Sequence, residues 1–179
     1  MMGTQQNVDT PLGRLVVRAE GLEGAEHRIE LLKPSVELPP GMSVDGVVAA
    51  ILIVAADSTT PAFRFGCTWE QAPTAGDPES GECLDAQSWD RDGHRVTVGT
   101  EDFDALSDRL PQIGFTESRY PVSYAHDGLT IRVPTGTAAS MLSLHFVIAW
   151  RSLPDPEDCS TWFAVDIPHA KLTTANKSR

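Results

Sequence analysis

Apolar and polar residues alternate along several short stretches of the chain, the pattern that predicts β-strands with one packed face. The clearest stretch is Ala62–Glu70, which places its aromatic side chains and Cys67 on one face. The same alternation predicts strands over Leu12–Ala19 and His94–Thr100. Arg28–Leu38 also has an extended pattern, but a proline interrupts it, so we expect an edge strand or a strand that bends.

Two further stretches depart from this alternation. Val47–Ala56 is apolar throughout and rich in β-branched residues, which predicts a central strand buried on both faces, with a buried helix as the alternative. Gln71–Asp92 combines prolines, glycines and acidic residues. We expect it to be a long irregular loop, and loops of this length are often functional or mobile.

One segment has a convincing helical pattern, Glu101–Leu110. Thr100 can cap it, acidic residues occupy its first turn, and Pro111 ends it. Its narrow apolar stripe predicts a helix that packs on a sheet by one face.

The rest of the chain predicts two hairpins. Asp127-Gly128 is a strong turn signal between Tyr120–His126 and Leu129–Val133. The pairs expected there are Tyr124 opposite Ile131 and Val122 opposite Val133.

The second predicted hairpin, Met141–Pro168, joins a strand over Leu142–Trp150 to a return strand over Thr161–Ile167. Placing Trp150 opposite Phe163 keeps every large apolar side chain on one face, and a slip of one residue would destroy that match.

These elements predict a mostly β fold. We expect an antiparallel β-sandwich or flattened barrel of about eight strands with one short α-helix, Glu101–Leu110. Residues 12–170 are expected to form a single domain between two flexible tails, residues 1–11 and 171–179.

Charge and cysteine content narrow the possible partners. The net charge of −11 argues against nucleic acid or an anionic membrane as the main partner, because phosphate surfaces require clustered lysine and arginine; a local basic pocket is still possible. No signal peptide is evident, and three cysteines without zinc-motif spacing indicate free thiols in a reducing cytoplasm. A Cys67–Cys83 bridge is the alternative. The oligomeric state is not predicted.

The predicted C-terminal hairpin gathers one candidate site. Its second face would carry His145, Asp166, Arg151 and Trp162. A histidine beside a carboxylate suits acid–base chemistry, and a nearby arginine can hold an anion. The alternative is that these residues form the solvent face of an amphipathic hairpin.

A second candidate ligand site is Trp69 with Glu70, since an aromatic ring beside carboxylates suits a sugar or a cation; the alternative is that Trp69 fills the core. The five histidines show no metal-ligand spacing, so the sequence predicts no metal ligand and no cofactor. The alternative is a mononuclear metal site drawn from these residues, His27, His94, His126, His145 and His169.

Two functional classes follow. The first is a non-catalytic binding or protein-interaction domain that uses the acidic loop or an exposed sheet face. The second is a small cofactor-free enzyme, a lyase, isomerase or cyclase, with a β-lined pocket around His145, Asp166 and Arg151. The expected partner is therefore a protein or a small-molecule ligand.

Overall fold

The computed structural model describes residues 5–73, 75–81, 83–135, 141–153 and 158–175. Its strands, numbered along the chain, form two antiparallel sheets that pack as a sandwich and do not close into a barrel. In spatial order, the five-stranded sheet contains β1 (Gln5–Thr10), β2 (Gly13–Glu20), β5 (Phe63–Trp69), β10 (Gly128–Val133) and β9 (Val122–Ala125). The six-stranded sheet contains β3 (His27–Leu32), β4 (Gly46–Val54), β11 (Leu142–Ser152), β8 (His94–Glu101), β7 (Leu84–Arg91) and β6 (Asp77–Gly81).

Apolar side chains from both sheets meet in the main core. The rings of Phe65 and Phe146 approach to 4.8 Å between centroids, and those of Trp69 and Trp89 to 5.6 Å. The packed face predicted for Ala62–Glu70 is thus confirmed. Cys67 lies on that face as a free, fully buried thiol, so the alternative of a bridge from Cys67 to Cys83 is not realised.

The predicted central strand is confirmed. β4 pairs with β3 on one side and with β11 on the other, and it contributes side chains to the apolar clusters on both faces of the sheet. β3 lies at the edge of its sheet, as expected for the segment that a proline interrupts.

The predicted hairpin over Met141–Pro168 is wrong in its second half. β4 pairs with one edge of β11 from Leu142 to Trp150, and β8 pairs with the other edge from Val147 to Ser152. Both edges are therefore occupied where Ile148 and Trp150 would have met the predicted return strand. Residues 160–175 instead form two short helices, α2 (Ser160–Val165) and α3 (His169–Ala175). Trp150 therefore lies opposite Gly46 and Val96 rather than Phe163.

The predicted loop over Gln71–Asp92 is also largely wrong. β6 and β7 occupy most of it, and β7 pairs along its whole length with β8. The described side chains of Leu84–Trp89 are all buried, although several of them are polar. The acidic stretch is therefore part of the six-stranded sheet and not a free loop.

The hairpin predicted around Asp127-Gly128 is present with its register displaced by two residues. Ala125 pairs with Gly128, and Tyr124 lies opposite Leu129 instead of Ile131. Gly128 belongs to β10, where a Cβ would collide with the backbone of β5. Val122 correspondingly lies opposite Ile131 and not Val133.

Both predicted tails contain regular structure. In the predicted N-terminal tail, residues 1–11, β1 forms a strand that pairs with β2. In the predicted C-terminal tail, residues 171–179, α3 extends to Ala175. The predicted helix is confirmed as α1 (Phe103–Arg109), with its cap moved from Thr100 to Asp102, whose side chain accepts a hydrogen bond from the Ala105 N–H. None of the helices in the described ranges has the length and apolar character needed to cross a membrane.

Candidate functional site

The outer face of β11 is covered by the two C-terminal helices, and His145 lies beneath them. The side chain points away from the sandwich core, and the residue is 2% exposed. Apolar residues of β4, β11, α2 and α3 form a second cluster on this side of the sheet. The sequence analysis expected this face of β11 to meet either solvent or a ligand. In the structure, α2 and α3 cover it instead.

Two of the residues predicted beside His145 lie elsewhere. Arg151 forms an ion pair with Asp158 at 2.7 Å and donates a hydrogen bond to Ser160 Oγ at 2.6 Å. Ser160 is the first residue of α2 and Asp158 lies two residues before it, so Arg151 anchors the start of that helix to the sheet. Trp162 is half-buried and packs over Gly81 of the edge strand β6.

Asp166 follows α2 and is exposed. It lines the same cavity as His145. Of the four residues predicted to lie together, His145 and Asp166 line one cavity, whereas Arg151 and Trp162 do not.

The two residues of the second predicted site differ in burial. Trp69 is 4% exposed and packs edge-on against Trp89 in the core, whereas Glu70 is exposed. Trp69 fills the core, which is the alternative that the sequence had allowed.

A different group of side chains surrounds His145. Its Nδ1 lies 2.9 Å from Nδ1 of His169 on α3, so one of these nitrogens donates a hydrogen bond to the other. Nε2 of His169 shares a second hydrogen bond of 2.7 Å with Ser143 Oγ. The two imidazole rings are therefore fixed in orientation from both sides.

A buried carboxylate completes the group. Glu101, at the end of β8, places Oε2 3.8 Å from Nδ1 of His145. Arg109 of α1 binds both oxygens of this carboxylate, with N···O distances of 2.5 to 3.1 Å. The same guanidinium donates to the Ser143 carbonyl at 2.9 Å. We call Glu101, Arg109, Ser143, His145 and His169 the histidine cluster.

Both histidines are neutral at physiological pH. Burial and then the positive charge of Arg109 lower the pKa of His145 to about 3. Burial lowers the pKa of His169 to about 3 as well, aided by Arg109 and His145, while Glu101 acts in the opposite direction. Each ring therefore keeps a nitrogen lone pair free of a proton.

A cavity of about 330 Å³ adjoins the cluster. Apolar residues of α2, α3 and β7 line it together with four members of the cluster. These four are Glu101, Arg109, His145 and His169. A volume of this size lies at the lower end of the range for small-molecule sites, ~300–1,000 Å³.

Sequence reasoning missed four of the five members. Glu101 was predicted only as an acidic residue of the first helical turn, and Ser143 as a polar position of a strand. Arg109 had no predicted role. His169 was considered only as one of five scattered histidines. The available signal was the apolar sequence on both sides of His145 and His169, which indicates burial, but the proximity of the two depends on the fold.

Comparison with protein-family models, with curated proteins and with solved structures finds no match for this chain. Its function is therefore argued from the geometry alone.

Proposed function

We propose that the chain is a metal-binding domain that holds one zinc ion between Glu101, His145 and His169. The observation that carries the proposal is the convergence of two imidazole nitrogens and one carboxylate oxygen, all within 4.8 Å of one another, in a buried site. This keeps the binding class expected from the sequence, with a different site and a different ligand.

The donor set suits zinc. Two histidines and one carboxylate form a recurrent zinc-binding set that leaves a fourth position for water or a small ligand. Ligand atoms around a tetrahedral zinc lie ~3.3 Å apart, given bonds of ~2.0–2.2 Å. The separations of 2.9 Å and 3.8 Å measured from His145 Nδ1 bracket that value. All three ligand atoms lie within 4.8 Å of one another, so side-chain adjustments would bring them to the spacing that zinc requires.

The protonation state supports the same conclusion. Metal binding requires neutral imidazole and an ionised carboxylate. The lowered pKa of each histidine supplies the first. Glu101 supplies the carboxylate, and Arg109 binds both of its oxygens. In the apo protein one proton bridges the two Nδ1 atoms, and zinc would replace it.

Outer contacts support the ligands. Metal-bound histidines usually hydrogen-bond through the other ring nitrogen, and bound carboxylates are themselves held by a donor. Ser143 is placed to accept from Nε2 of His169, and Arg109 holds Glu101.

The test is a calorimetric titration of EDTA-stripped, chelator-free protein with zinc sulfate. We expect one tight site per chain and a cobalt derivative with visible d–d absorption. Loss of a residue that only supports a metal ligand typically weakens metal affinity ~10–100-fold. His145→Asn and His169→Asn each remove a ligand itself, so each should weaken zinc affinity by more than that. His126→Asn, in an exposed turn, is the matched control and should bind zinc like the parent. Saturation far from one zinc per chain, or equal affinity in all four proteins, would overturn the proposal.

A second candidate function, acyl-transfer hydrolysis, is favoured by one observation. Ser143 Oγ, His169 and His145 form a hydrogen-bonded series in which His169 contacts the hydroxyl through Nε2 and the orienting group through Nδ1, as in serine hydrolases. A pKa of about 3 makes His169 a weak base at neutral pH, and efficient general bases have a pKa near the working pH. We therefore favour the metal site.

Ser143→Ala separates the two functions. A hydrolase would lose labelling by a fluorophosphonate probe completely in this variant. A metal site would keep its zinc stoichiometry, with an affinity lower by ~10-fold because only an outer contact is lost.

We propose a cytoplasmic location without a nucleic-acid or membrane partner. The net charge of −11 and the free thiol of Cys67 support this assignment.

A further inference from the structure

We infer that the chain has a second ligand site, a cavity lined by Arg64, Arg119 and Arg132 that binds an organic anion with several phosphate or carboxylate groups. This site is independent of the histidine cluster. It lies at one end of the five-stranded sheet, between the ends of β2, β5 and β10 and the loop that follows α1.

The pairing of the arginines distinguishes this cavity from the rest of the described surface. Seven arginines in the described ranges form ion pairs with a carboxylate: Arg14, Arg18, Arg28, Arg91, Arg95, Arg109 and Arg151. The other three within those ranges form none, and all three line this one cavity. The net charge of the chain is −11, so three arginines that share one cavity and form no ion pair with a carboxylate are not explained by solubility alone.

The backbone forces two of these charges together. Arg64 of β5 and Arg132 of β10 are direct cross-strand partners, and like charges in that position destabilise a sheet. Glu20 is the single acidic residue among the described lining residues, and it is bound by Arg18 at 3.1 Å. Glu20 is also the cross-strand partner of Arg64, but its ion pair is with Arg18. An anionic ligand would therefore offset the charge of Arg64 and Arg132 further than Glu20 does.

The dimensions and walls of the cavity define the ligand class. Its volume of about 880 Å³ falls within the range for small-molecule sites. Guanidinium groups bind phosphate and carboxylate oxygens in bidentate geometry. Phe115 and Tyr120 line the same cavity and offer apolar surface to an organic part of the ligand.

The experiment uses metal-free protein and two probes, ATP for phosphate and citrate for carboxylate, at matched ionic strength. We expect at least one probe to bind once per chain and to raise the melting temperature. Arg64→Gln and Arg132→Thr should each weaken that binding by at least ~10-fold, the scale of a lost charge-assisted contact. Arg28→Gln removes an exposed arginine from the other sheet and should bind like the parent.

Arg132→Thr has a second readout that a merely structural role would not give. Because it removes a like-charge pair, it should raise the melting temperature of the ligand-free protein while it abolishes the rise caused by the probe. The inference is overturned if neither probe binds at millimolar concentration. It is equally overturned if Arg28→Gln weakens binding as much as Arg132→Thr does.

Discussion

The two faces of the six-stranded sheet are both buried, but they bury different chemistry. Toward the sandwich core, β11 presents Leu144 and Phe146 to other apolar side chains. On the opposite face it presents His145, and hydroxyl groups from β7, β8 and α2 join in a continuous chain through Thr97, with O···O distances of 2.8 Å. The first layer gains stability by removing apolar surface from water.

The second layer gains less from burial, because each polar group must replace the hydrogen bonds it made to water. Its histidines are neutral and its carboxylate is held by an arginine. Buried groups with shifted pKa values, collected beside a cavity, are typical of functional sites. The comparison shows that one face of the sheet is packed with apolar side chains, whereas the other buries the polar groups on which the proposed metal site depends.

The largest effect should come from the inner layer, the apolar face of the six-stranded sheet that packs in the sandwich core. Phe146→Ala removes a ring that stacks against Phe65 and should lower the free energy of unfolding by ~3–5 kcal/mol. Urea denaturation of metal-free protein measures this loss. If the folded variant still binds zinc at one site per chain, the two layers are separable; if zinc binding is lost while the fold persists, the comparison fails.

A smaller effect is expected from the outer layer, the polar face of the same sheet that contains His145. Glu101→Gln removes the charge that pairs with Arg109, which is 24% exposed through its side chain, so solvent screens part of the penalty. We expect a loss of ~1.5–3 kcal/mol, the range for hydrogen bonds to charged groups. The matched control is Glu30→Gln, whose arginine partner is on an exposed edge strand. An equal loss in both variants would show that the buried pair has no special role.

The smallest effect is a dependence of stability on pH. Both histidines have a folded pKa of about 3, below the unfolded value of about 6.5. The unfolded chain therefore takes up protons first as the pH falls, and stability is lost from about pH 6.5 downward. Between pH 7 and pH 6 this amounts to about 0.7 kcal/mol for each histidine.

Urea denaturation at the two pH values, without metal, measures this dependence. A His145→Leu/His169→Leu double variant should show a flatter profile. An unchanged profile in the double variant would mean that other groups cause the acid sensitivity.

Local patterns predicted the inner layer well because that layer depends on alternation alone. The apolar faces of β5 and β11 and the burial of β4 follow from sequence periodicity. The pattern of 161–167 misled because its β-branched and aromatic residues also alternate. The buried residues Ser160, Thr161, Ala164 and Val165 follow a helical spacing instead, and the edges of β11 were occupied by strands distant in sequence.

The sequence did not predict the polar outer layer for a related reason. β7 contains Asp85 and Gln87, which locally favour a loop, yet both are buried. Asp85 accepts hydrogen bonds from Tyr120 and Tyr124, and Gln87 donates to the Ala125 carbonyl. Their partners lie more than thirty residues away, so only the assembled fold reveals that these groups can be buried. The histidine cluster, drawn from β8, α1, β11 and α3, has the same dependence.

The position of β11 also sets the order in which the protein can be completed during synthesis. Among the described strands, β3 pairs with β4, β6 pairs with β7, and β7 pairs with β8, all from chain made earlier. Of these strands, β11 alone joins β4 to β8. The emerging chain therefore carries two unfinished half-sheets with open edges, which are prone to pair with other chains. Closure needs contacts across about ninety residues, which slows folding. We expect the ribosome-bound chain to depend on chaperones until β11 has emerged.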